Sequence, residues 1–332
     1  MAKCGGVIMT IKVLLTDVIR PRAMDELEKH AEVVIAPDPS PETVSTLAKN
    51  FDGIISRNTF IGEACFANSP KLKVVASHGV GTDHIDVNAA TKHGVRIVNT
   101  PGANSISVAE TVIGLMLCLS RKLCLANNKL KFDSDYYCRH DMIGQDLHGK
   151  TLGIIGMGHI GKTLSNIARN GFEMDVLALD PYVDSDTMLK YGAKKAGNLH
   201  EVLLNADYLS LNCPYNKSLH HLINSETLQV MKKSAFLINC SRGLVIDEKA
   251  LYIALKEGVI AGAALDVFEE EPPEKDNPLF ELENVIVTPH IAANAVDSID
   301  RMSLISVQDV IHVIKGEDDK AHVVNAAELK EE

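Results

Sequence analysis

The stretch GMGHIG, residues 156–161, satisfies the pattern G-x-G-x-x-G. By itself the pattern is weak, because a chain with 22 glycines produces near-matches by chance. Its surroundings make it specific: residues 152–155 form an apolar run that predicts a strand, and residues 162–169 continue as a helix. A second predicted strand ends in Asp180, 19 residues after Gly161. The stretch predicts a dinucleotide-binding unit, the alternative being a glycine-rich turn in an α/β domain without a cofactor.

Each part of the motif has a physical role toward a dinucleotide. Gly156 allows the tight turn, Gly158 lets the backbone approach a pyrophosphate, and Gly161 permits close packing of helix on strand. The helix N-terminus presents free N–H groups to phosphates. Asp180 would accept hydrogen bonds from a ribose and repel a 2′-phosphate, and the next two residues supply no Arg to compensate. The sequence therefore favours NAD over NADP.

Short apolar runs alternate with helix-like segments along the rest of the chain, which is typical of parallel sheets covered on both faces. The fold class is therefore α/β. The predicted strands of the first third are residues 11–16, 33–36, 53–56, 73–76 and 96–99. Those of the second series are 151–156, 176–180, 208–212, 235–239, 261–266 and 285–288. Six parallel strands are the number in a doubly wound dinucleotide-binding domain.

Besides the helix at residues 162–169, four helical segments are predicted around these strands. Residues 21–30 and 41–50 each begin at a proline, which suits a first helical turn, and Ser40 is a cap candidate for the second. Residues 105–127 contain no turn residue except Gly114 and predict one long helix that links the two series. The amphipathic segment 296–314 is followed by Lys and Gly, as a helix C-terminus should be. With no strand after it, it is expected to return to the first domain.

Composition limits the class of protein. A length of 332 residues predicts about two domains, and 46% hydrophobic residues suffice for a core in each. No apolar run reaches 18 residues, so no membrane span is expected. The net charge of -11 would repel a phosphodiester backbone, which argues against nucleic acid as a partner.

Seven cysteines, at positions 4, 65, 118, 124, 138, 213 and 240, form no C-x-x-C pair. An odd number of scattered thiols fits reduced cysteines in a cytoplasmic protein, with neither disulfides nor a metal site. The apolar run of residues 7–9 is too short for a secretory signal, so no targeting segment is expected.

Three charged residues follow later strands, where ligands of doubly wound sheets bind. They are Arg242, Glu271 and His290. Arg binds carboxylates in a bidentate manner, His titrates near neutrality, and a carboxylate beside an imidazole raises its pKa. The set suits reversible hydride transfer at a 2-oxo or 2-hydroxy acid, with Arg242 holding the substrate carboxylate and polarising the carbonyl, His290 exchanging the proton and Glu271 holding His290. Taken singly, each has a plainer reading as a salt-bridge partner, a structural histidine or part of an acidic run.

The chain also resembles the D-2-hydroxyacid dehydrogenases, especially their phosphoglycerate-dehydrogenase-like branch. The similarity covers about residues 11–327, and the ordered set of motifs is more specific than any one of them. The matching segments are GVGTDHID at 79–86, NTPG at 99–102, VAE at 108–110, residues 149–161, NCSRG at 239–243, ALDVF at 264–268 through Glu271 and Pro272, and TPHI at 288–291.

The resemblance implies that Arg242, Glu271 and His290 are catalytic, with His290 as the acid/base. It implies two doubly wound domains: a flavodoxin-like substrate domain split into residues 10–103 and 295–332, and a Rossmann NAD-binding domain at 104–294. The helix from Ser105 would be the hinge and the dimer region of a homodimer.

Cofactor and substrate residues follow from the same resemblance. Backbone N–H groups of Val80 and Gly81 would receive the substrate carboxylate together with Arg242. The NAD pocket would comprise Gly156, Gly158, His159, Ile160, Gly161, Asp180, Cys213, Pro214, Ser218, Cys240, Ser241, Arg242, Asp266 and His290. For Cys240, a buried strand residue is favoured over a reactive thiol.

Departures from the family leave the substrate open. Arg57 stands where phosphoglycerate-using relatives place a phosphate-binding Arg, but Ser77 stands where they often add another. The chain stops soon after Asn325, so regulatory domains and serine feedback are not expected. Phosphoglycerate with its oxidised form 3-phosphohydroxypyruvate, glyoxylate or hydroxypyruvate, and larger 2-oxo acids remain candidates. A different class, an NAD-sensing protein like the corepressors that share this fold, is the alternative to an enzyme.

Overall fold

The computed structural model describes residues 11–330. Cys4, the apolar run at 7–9, and the predicted domain ends at residue 10 and at residues 331–332 lie outside the described residues. The chain divides into two compact units. One comprises the described residues up to Asn104 together with those from Ala295 onward, and the other runs from Ser105 to Asn294.

The first unit begins with five strands that alternate with four helices. They are β1 (Lys12–Leu15), α1 (Pro21–Glu28), β2 (Glu32–Ile35), α2 (Pro41–Ala48), β3 (Gly53–Ser56), α3 (Glu63–Ala67), β4 (Val74–Ser77), α4 (Val87–Lys92) and β5 (Arg96–Val98). All strand pairs are parallel, in the order β2-β1-β3-β4-β5. This is the order of flavodoxin-like folds, so the predicted fold of this part is confirmed. Ser40 caps α2 by accepting a hydrogen bond from the Thr43 N–H.

The second unit contains seven further strands. Its elements are α5 (Ser105–Ser120), α6 (Leu123–Asp133), β6 (Thr151–Ile155), α7 (His159–Phe172), β7 (Asp175–Leu179), α8 (Ser185–Lys190), β8 (Ala193–Lys195), α9 (Leu199–Asn205), β9 (Tyr208–Leu211), α10 (Ser225–Val230), β10 (Phe236–Asn239), α11 (Glu248–Lys256), β11 (Gly262–Leu265) and β12 (Val285–Val287). The sheet is parallel, in the order β12-β11-β10-β9-β6-β7-β8. Its first six strands in chain order have the Rossmann arrangement, with β12 added at one edge.

The prediction of six strands in the second series was wrong by one. The missed strand, β8, has only three residues and the sequence Ala-Lys-Lys. It lies at the edge of the sheet, where lysines and short length are common because they protect the open edge from further pairing. It therefore carries no apolar run of the kind used to predict the others.

The prediction of one helix over residues 105–127 was also wrong. Helix α5 ends at Ser120, and Lys122 takes a left-handed conformation with φ 54° before α6 begins. The Gln145 N–H donates to the Ser120 carbonyl at 2.9 Å. That carbonyl therefore bonds to a distant segment at the point where the helix stops. Helix α6 buries none of its side chains.

The last long helix, α12 (Val296–Ile314), has the bounds that the amphipathic pattern predicted. It ends before Gly316, which has φ 77°. Its Val307 and Val310 belong to the same buried cluster as Val13 and Val74 of the first sheet. The helix therefore completes the core of the first unit.

Within residues 11–330, no helix combines the length and the apolar character that a bilayer span requires. The six cysteines of this part of the chain, Cys65, Cys118, Cys124, Cys138, Cys213 and Cys240, are free thiols.

Candidate active site

The glycine-rich turn between β6 and α7 has three positions with different steric demands. Gly156 has φ 96°, and a Cβ there would collide with the Asn212 carbonyl. A Cβ on Gly161 would overlap the carbonyl of Gly156, so α7 approaches the end of β6 as closely as the backbone allows. A Cβ on Gly158 would meet nothing within 4 Å. The middle glycine therefore faces open space that a ligand can fill.

The N-terminus of α7 is suited to an anion. Gly158 is the N-cap residue and offers no side chain, and within the described residues the first backbone bond of the helix runs from the Lys162 N–H to Gly158. The preceding N–H groups, at His159 and Ile160, belong to the uncapped first turn of a 14-residue helix. Such N–H groups and the helix dipole favour a phosphate at this end.

Asp180 lies at the end of β7 and is tied to the glycine turn. One carboxylate oxygen accepts the Met157 N–H at 2.8 Å, and the other accepts the Tyr182 N–H at 2.8 Å. Each oxygen retains a lone pair for a ribose hydroxyl. The turn, the uncapped helix and the acid together fit a dinucleotide with an unphosphorylated ribose.

Other residues assigned to the cofactor pocket lie after β9 and β10. Cys213 and Pro214 follow β9, and Ser218 donates its hydroxyl to Asn216 at 2.6 Å. Burial raises the pKa of the Cys213 thiol to about 11. Burial, helped by the charge of Asp266, also raises the pKa of Cys240, so this cysteine is not a reactive thiolate.

Asn239 shapes the turn that carries Arg242. Its buried amide donates to the Arg242 carbonyl at 2.9 Å and accepts both the N–H and the hydroxyl of Ser241. The Arg242 guanidinium donates to the Ser241 carbonyl at 2.7 Å. A Cβ on Gly243 would overlap the Phe268 carbonyl, so the Arg242 turn packs backbone to backbone against the segment that leads to Glu271.

Asp266 fixes the loop of His290 through hydrogen bonds to its backbone and to Thr288. Its fully buried carboxylate accepts the backbone N–H groups of Ile291 and Ala292, each at 2.8 Å, and the hydroxyl of Thr288. Its carbonyl accepts the His290 N–H at 2.8 Å. These bonds fix His290 in a left-handed conformation, with φ 53°.

His290 and Glu271 form a hydrogen-bonded pair. Nδ1 of His290 lies 2.7 Å from Oε2 of Glu271, and Oε1 of Glu271 accepts the Phe268 N–H at 3.1 Å. The hydrogen bond to Glu271 raises the pKa of His290, against the effects of burial and of the Arg242 charge. Burial disfavours the ionised form of Glu271, but His290, the Phe268 N–H and Arg242 together hold the pKa of that carboxyl below its usual value. The pair therefore favours an imidazolium beside a carboxylate.

In the first unit, the turn of residues 77–81 directs its carbonyls toward internal donors. The Ser77 hydroxyl donates to the Gly81 carbonyl, Asn99 to that of Val80, and the Thr100 N–H to that of Gly79. Within the described residues, the N–H groups of Gly79, Val80 and Gly81 donate to no backbone carbonyl.

Arg57 directly follows β3, and its N–H donates to the Thr16 hydroxyl at 3.3 Å. Its neighbour His78 is buried, and one ring nitrogen contacts the Ser303 hydroxyl at 2.8 Å. Burial and the charge of Arg57 lower the pKa of His78 to about 4, so this histidine is neutral near pH 7.

Arg242, Glu271 and His290 were predicted from the sequence, and the structure places all three in the second unit, close enough for their charges to act on one another. Asn239 and the role of Asp266 under the His290 loop were not predicted. A buried Asn or Asp at the end of an apolar strand was the available signal, because such groups need partners in the following turn. His78 was likewise not predicted to have a role of its own.

These features define a dinucleotide-binding α/β protein with a histidine–carboxylate pair in its cofactor-binding unit. Residues 113–292 match the family described as D-isomer specific 2-hydroxyacid dehydrogenase, NAD binding domain. The chain belongs to this family.

Relatives within the family differ in substrate. The chain is 41% identical over 308 residues to a D-3-phosphoglycerate dehydrogenase of Methanocaldococcus jannaschii, covering 92% of this chain and 58% of that protein. It is 37% identical to a glyoxylate reductase of Korarchaeum cryptofilum, covering 93% and 94%. A solved structure of Aquifex aeolicus D-lactate dehydrogenase, complexed with NAD and lactic acid, matches with a TM-score of 0.82 and 30% identity, covering 93% and 97%.

Proposed function

We propose that this protein is an NAD-dependent D-2-hydroxyacid dehydrogenase that transfers hydride reversibly between NADH and a small 2-oxo acid. The observation that carries the proposal is the bond between His290 and Glu271, beside the charge of Arg242 and in the same unit as the glycine turn. An imidazolium held by a carboxylate is a proton donor of the strength that reduction of a carbonyl needs.

Each side chain has a distinct part in the proposed reaction. NADH supplies the hydride when bound. Nε2 of His290 gives a proton to the carbonyl oxygen in reduction and removes it from the hydroxyl in oxidation. Glu271 orients the ring through Nδ1 and stabilises its charged form. Arg242 binds the substrate carboxylate and stabilises the charge that develops on the carbonyl oxygen.

The cofactor would be held by the second unit, with the pyrophosphate on the turn of Gly158 and the ribose on Asp180. The first unit would bind substrate. The N–H groups of Val80 and Gly81 are the proposed donors to the carboxylate, because their own carbonyls are bonded elsewhere. Arg57 is the proposed partner of a distal phosphate.

Two substrate classes are proposed, following the two kinds of relative. Arg57 favours 3-phosphoglycerate and 3-phosphohydroxypyruvate. Ser77 favours glyoxylate or hydroxypyruvate, because its buried hydroxyl is bonded to the Gly81 carbonyl and adds no cation. NADH oxidation followed at 340 nm with a panel of 2-oxo acids tests the activity. Turnover of 3-phosphohydroxypyruvate well above that of glyoxylate would select the first class, and the reverse would select the second.

The alternative is an NAD-sensing protein of the corepressor kind. It would bind NADH and leave every 2-oxo acid unreduced. A flat absorbance trace across the panel, with saturable NADH binding in the same preparation, would favour the sensor and contradict the proposed activity.

We also propose a cytoplasmic homodimer. Helix α6 buries no side chain and exposes Leu130 and Phe132, which is unusual for a helix that has no partner. Free cysteines suit a reducing compartment. Light scattering should give twice the mass of 36.1 kDa, and Phe132→Glu should shift the protein toward monomer. Cell fractionation tests the location.

A further inference from the structure

Three side chains that the proposed reaction does not use meet beside the segments of Arg242 and Glu271. They are His221, Asp247 and Glu269, and one donor atom from each lies within 4.8 Å of the others. Nε2 of His221 is 3.1 Å from a Glu269 oxygen, and Nδ1 is 3.9 Å from an Asp247 oxygen. The three residues come from separate segments of the chain, so no local sequence motif predicts the cluster.

The backbone around this cluster is already fixed. The His221 N–H donates to the Leu244 carbonyl at 3.0 Å. Asp247 caps α11 with Oδ1, which leaves Oδ2 for another partner. Glu269 accepts the Glu248 N–H at 2.9 Å, and Glu248 in turn accepts the Glu269 N–H. The three chain segments are therefore held in position by bonds that do not depend on an ion.

The contact between His221 and Glu269 has an unusual property. Nε2 of His221 is shielded from solvent and makes no hydrogen bond to any described residue, although the carboxylate oxygen is only 3.1 Å away. An imidazole nitrogen without a hydrogen bond and a carboxylate oxygen at this distance can both bind one metal ion. Ligands of a tetrahedral Zn²⁺, with bonds of ~2.0–2.1 Å, are about 3.3 Å apart.

We propose that His221, Asp247 and Glu269 bind a divalent transition-metal ion, Zn²⁺ in the first instance. An imidazole ligand selects Zn²⁺ and its neighbours over Mg²⁺ and Ca²⁺, which prefer six or more oxygen ligands. Two carboxylates neutralise the charge of the ion, and water completes the tetrahedron. This revises the expectation of no metal site.

The ion has a structural role in this arrangement. It ties the segment of His221 to the start of α11 and to the loop after β11. Arg242 lies five residues before Asp247, and Glu271 lies two residues after Glu269. Donors of the cluster lie up to 4.8 Å apart, whereas tetrahedral ligands with bonds of ~2.0–2.1 Å are about 3.3 Å apart, so the most distant donors must close by up to roughly 1.5 Å around one ion. Binding therefore tightens the two loops that carry the proposed site.

Calorimetric titration of the chelator-treated, full-length protein with ZnCl₂, in a phosphine reductant, tests the proposal. The matched control is His220→Gln, since His220 is an exposed neighbour whose ring stacks on His221 at 3.9 Å. Wild type and His220→Gln are expected to bind one equivalent with equal affinity. His221→Gln is expected to bind at least ~10-fold more weakly, and Zn²⁺ should raise its Tm less than that of wild type.

Asp247→Asn provides a second variant, because Asn preserves the cap of α11 and removes the charge. If His221→Gln does not unfold cooperatively by circular dichroism, the Zn²⁺ affinity of Asp247→Asn is compared with that of wild type instead. Equal Zn²⁺ affinity in wild type and in the folded variants would overturn the proposal, as would no binding to wild type. The Co²⁺ derivative should show visible bands without thiolate charge transfer. A thiolate band would place the ion on cysteine and contradict the assignment.

Discussion

Nδ1 of His290 lies 2.7 Å from Oε2 of Glu271, and this contact determines which ring nitrogen can act on a substrate. Because the carboxylate engages Nδ1, Nε2 is the nitrogen that can give or take a proton. The same contact raises the pKa of His290, while the charge of Arg242 opposes the rise. The pKa of His290 is thus raised by the negative charge of Glu271 and lowered by the positive charge of Arg242.

Glu271→Gln should shift the pH dependence of both directions toward lower pH. Reduction needs protonated His290, so its rate falls as pH rises through the pKa of His290. Oxidation needs the neutral ring, so its rate rises over the same range. Removing the carboxylate removes the main cause of the raised pKa, and both limbs move down together. Profiles of kcat/KM against pH measure this.

The matched control for that variant is Glu270→Gln, one position earlier on an exposed side chain. It should leave both limbs in place. An unchanged pH profile in Glu271→Gln, or an equal shift in Glu270→Gln, would contradict the claim that the Glu271 carboxylate raises the pKa of His290.

Asp180 should make NADH the preferred cofactor. Its carboxylate would face the ribose, where like charges about 4 Å apart near a surface repel by about 4 kcal/mol. We expect kcat/KM for NADH to exceed that for NADPH by at least about tenfold. Asp180→Asn should reduce the ratio, mainly by improving NADPH. A wild-type ratio near one would mean that Asp180 does not contact the ribose.

Two glycines of the turn should respond differently to alanine. Gly158→Ala should fold normally, because its Cβ meets nothing within 4 Å, but should weaken NADH binding by filling the space of the pyrophosphate. Gly161→Ala should lower the free energy of unfolding by ~1–3 kcal/mol, because its Cβ overlaps the Gly156 carbonyl. Thermal melts and NADH fluorescence titrations distinguish the two effects. Equal NADH affinity in Gly158→Ala and wild type would contradict the proposal that the pyrophosphate binds at this turn.

Arg242→Lys should lower kcat/KM about 100-fold even though it keeps the charge. A lysine cannot reproduce the bidentate fork, and losing one donor to a developing oxyanion costs about 3 kcal/mol. Steady-state kinetics with the best 2-oxo acid of the panel measure the loss. A variant within threefold of wild type would exclude Arg242 from the site.

The fold could be predicted where secondary structure is decided locally. Strands buried on both faces, such as β3 and β4, appear as apolar runs because both of their faces need apolar side chains. The edge strand β8 has no such need and was missed. At the break after Ser120, the Ser120 carbonyl accepts a hydrogen bond from Gln145, 25 residues away, and no local pattern contains that contact.

In the candidate site, too, the features set by local sequence could be predicted and those set by distant contacts could not. The glycine turn with Asp180 is a local motif and could be found from spacing. Arg242, Glu271 and His290 could be found because each follows a strand of one parallel sheet, and such strand ends share one edge. The cluster of His221, Asp247 and Glu269 could not, since its residues meet only after three separate loops have packed together.

Turnover and cofactor binding in His290→Gln test the proposed mechanism most directly. This variant should bind NADH with the wild-type dissociation constant and reduce the best 2-oxo acid at least ~100-fold more slowly at every pH, because the ring transfers the proton and does not hold the cofactor. A variant that keeps wild-type kcat while NADH binding is unchanged would contradict His290 as the acid, and with it the proposed mechanism.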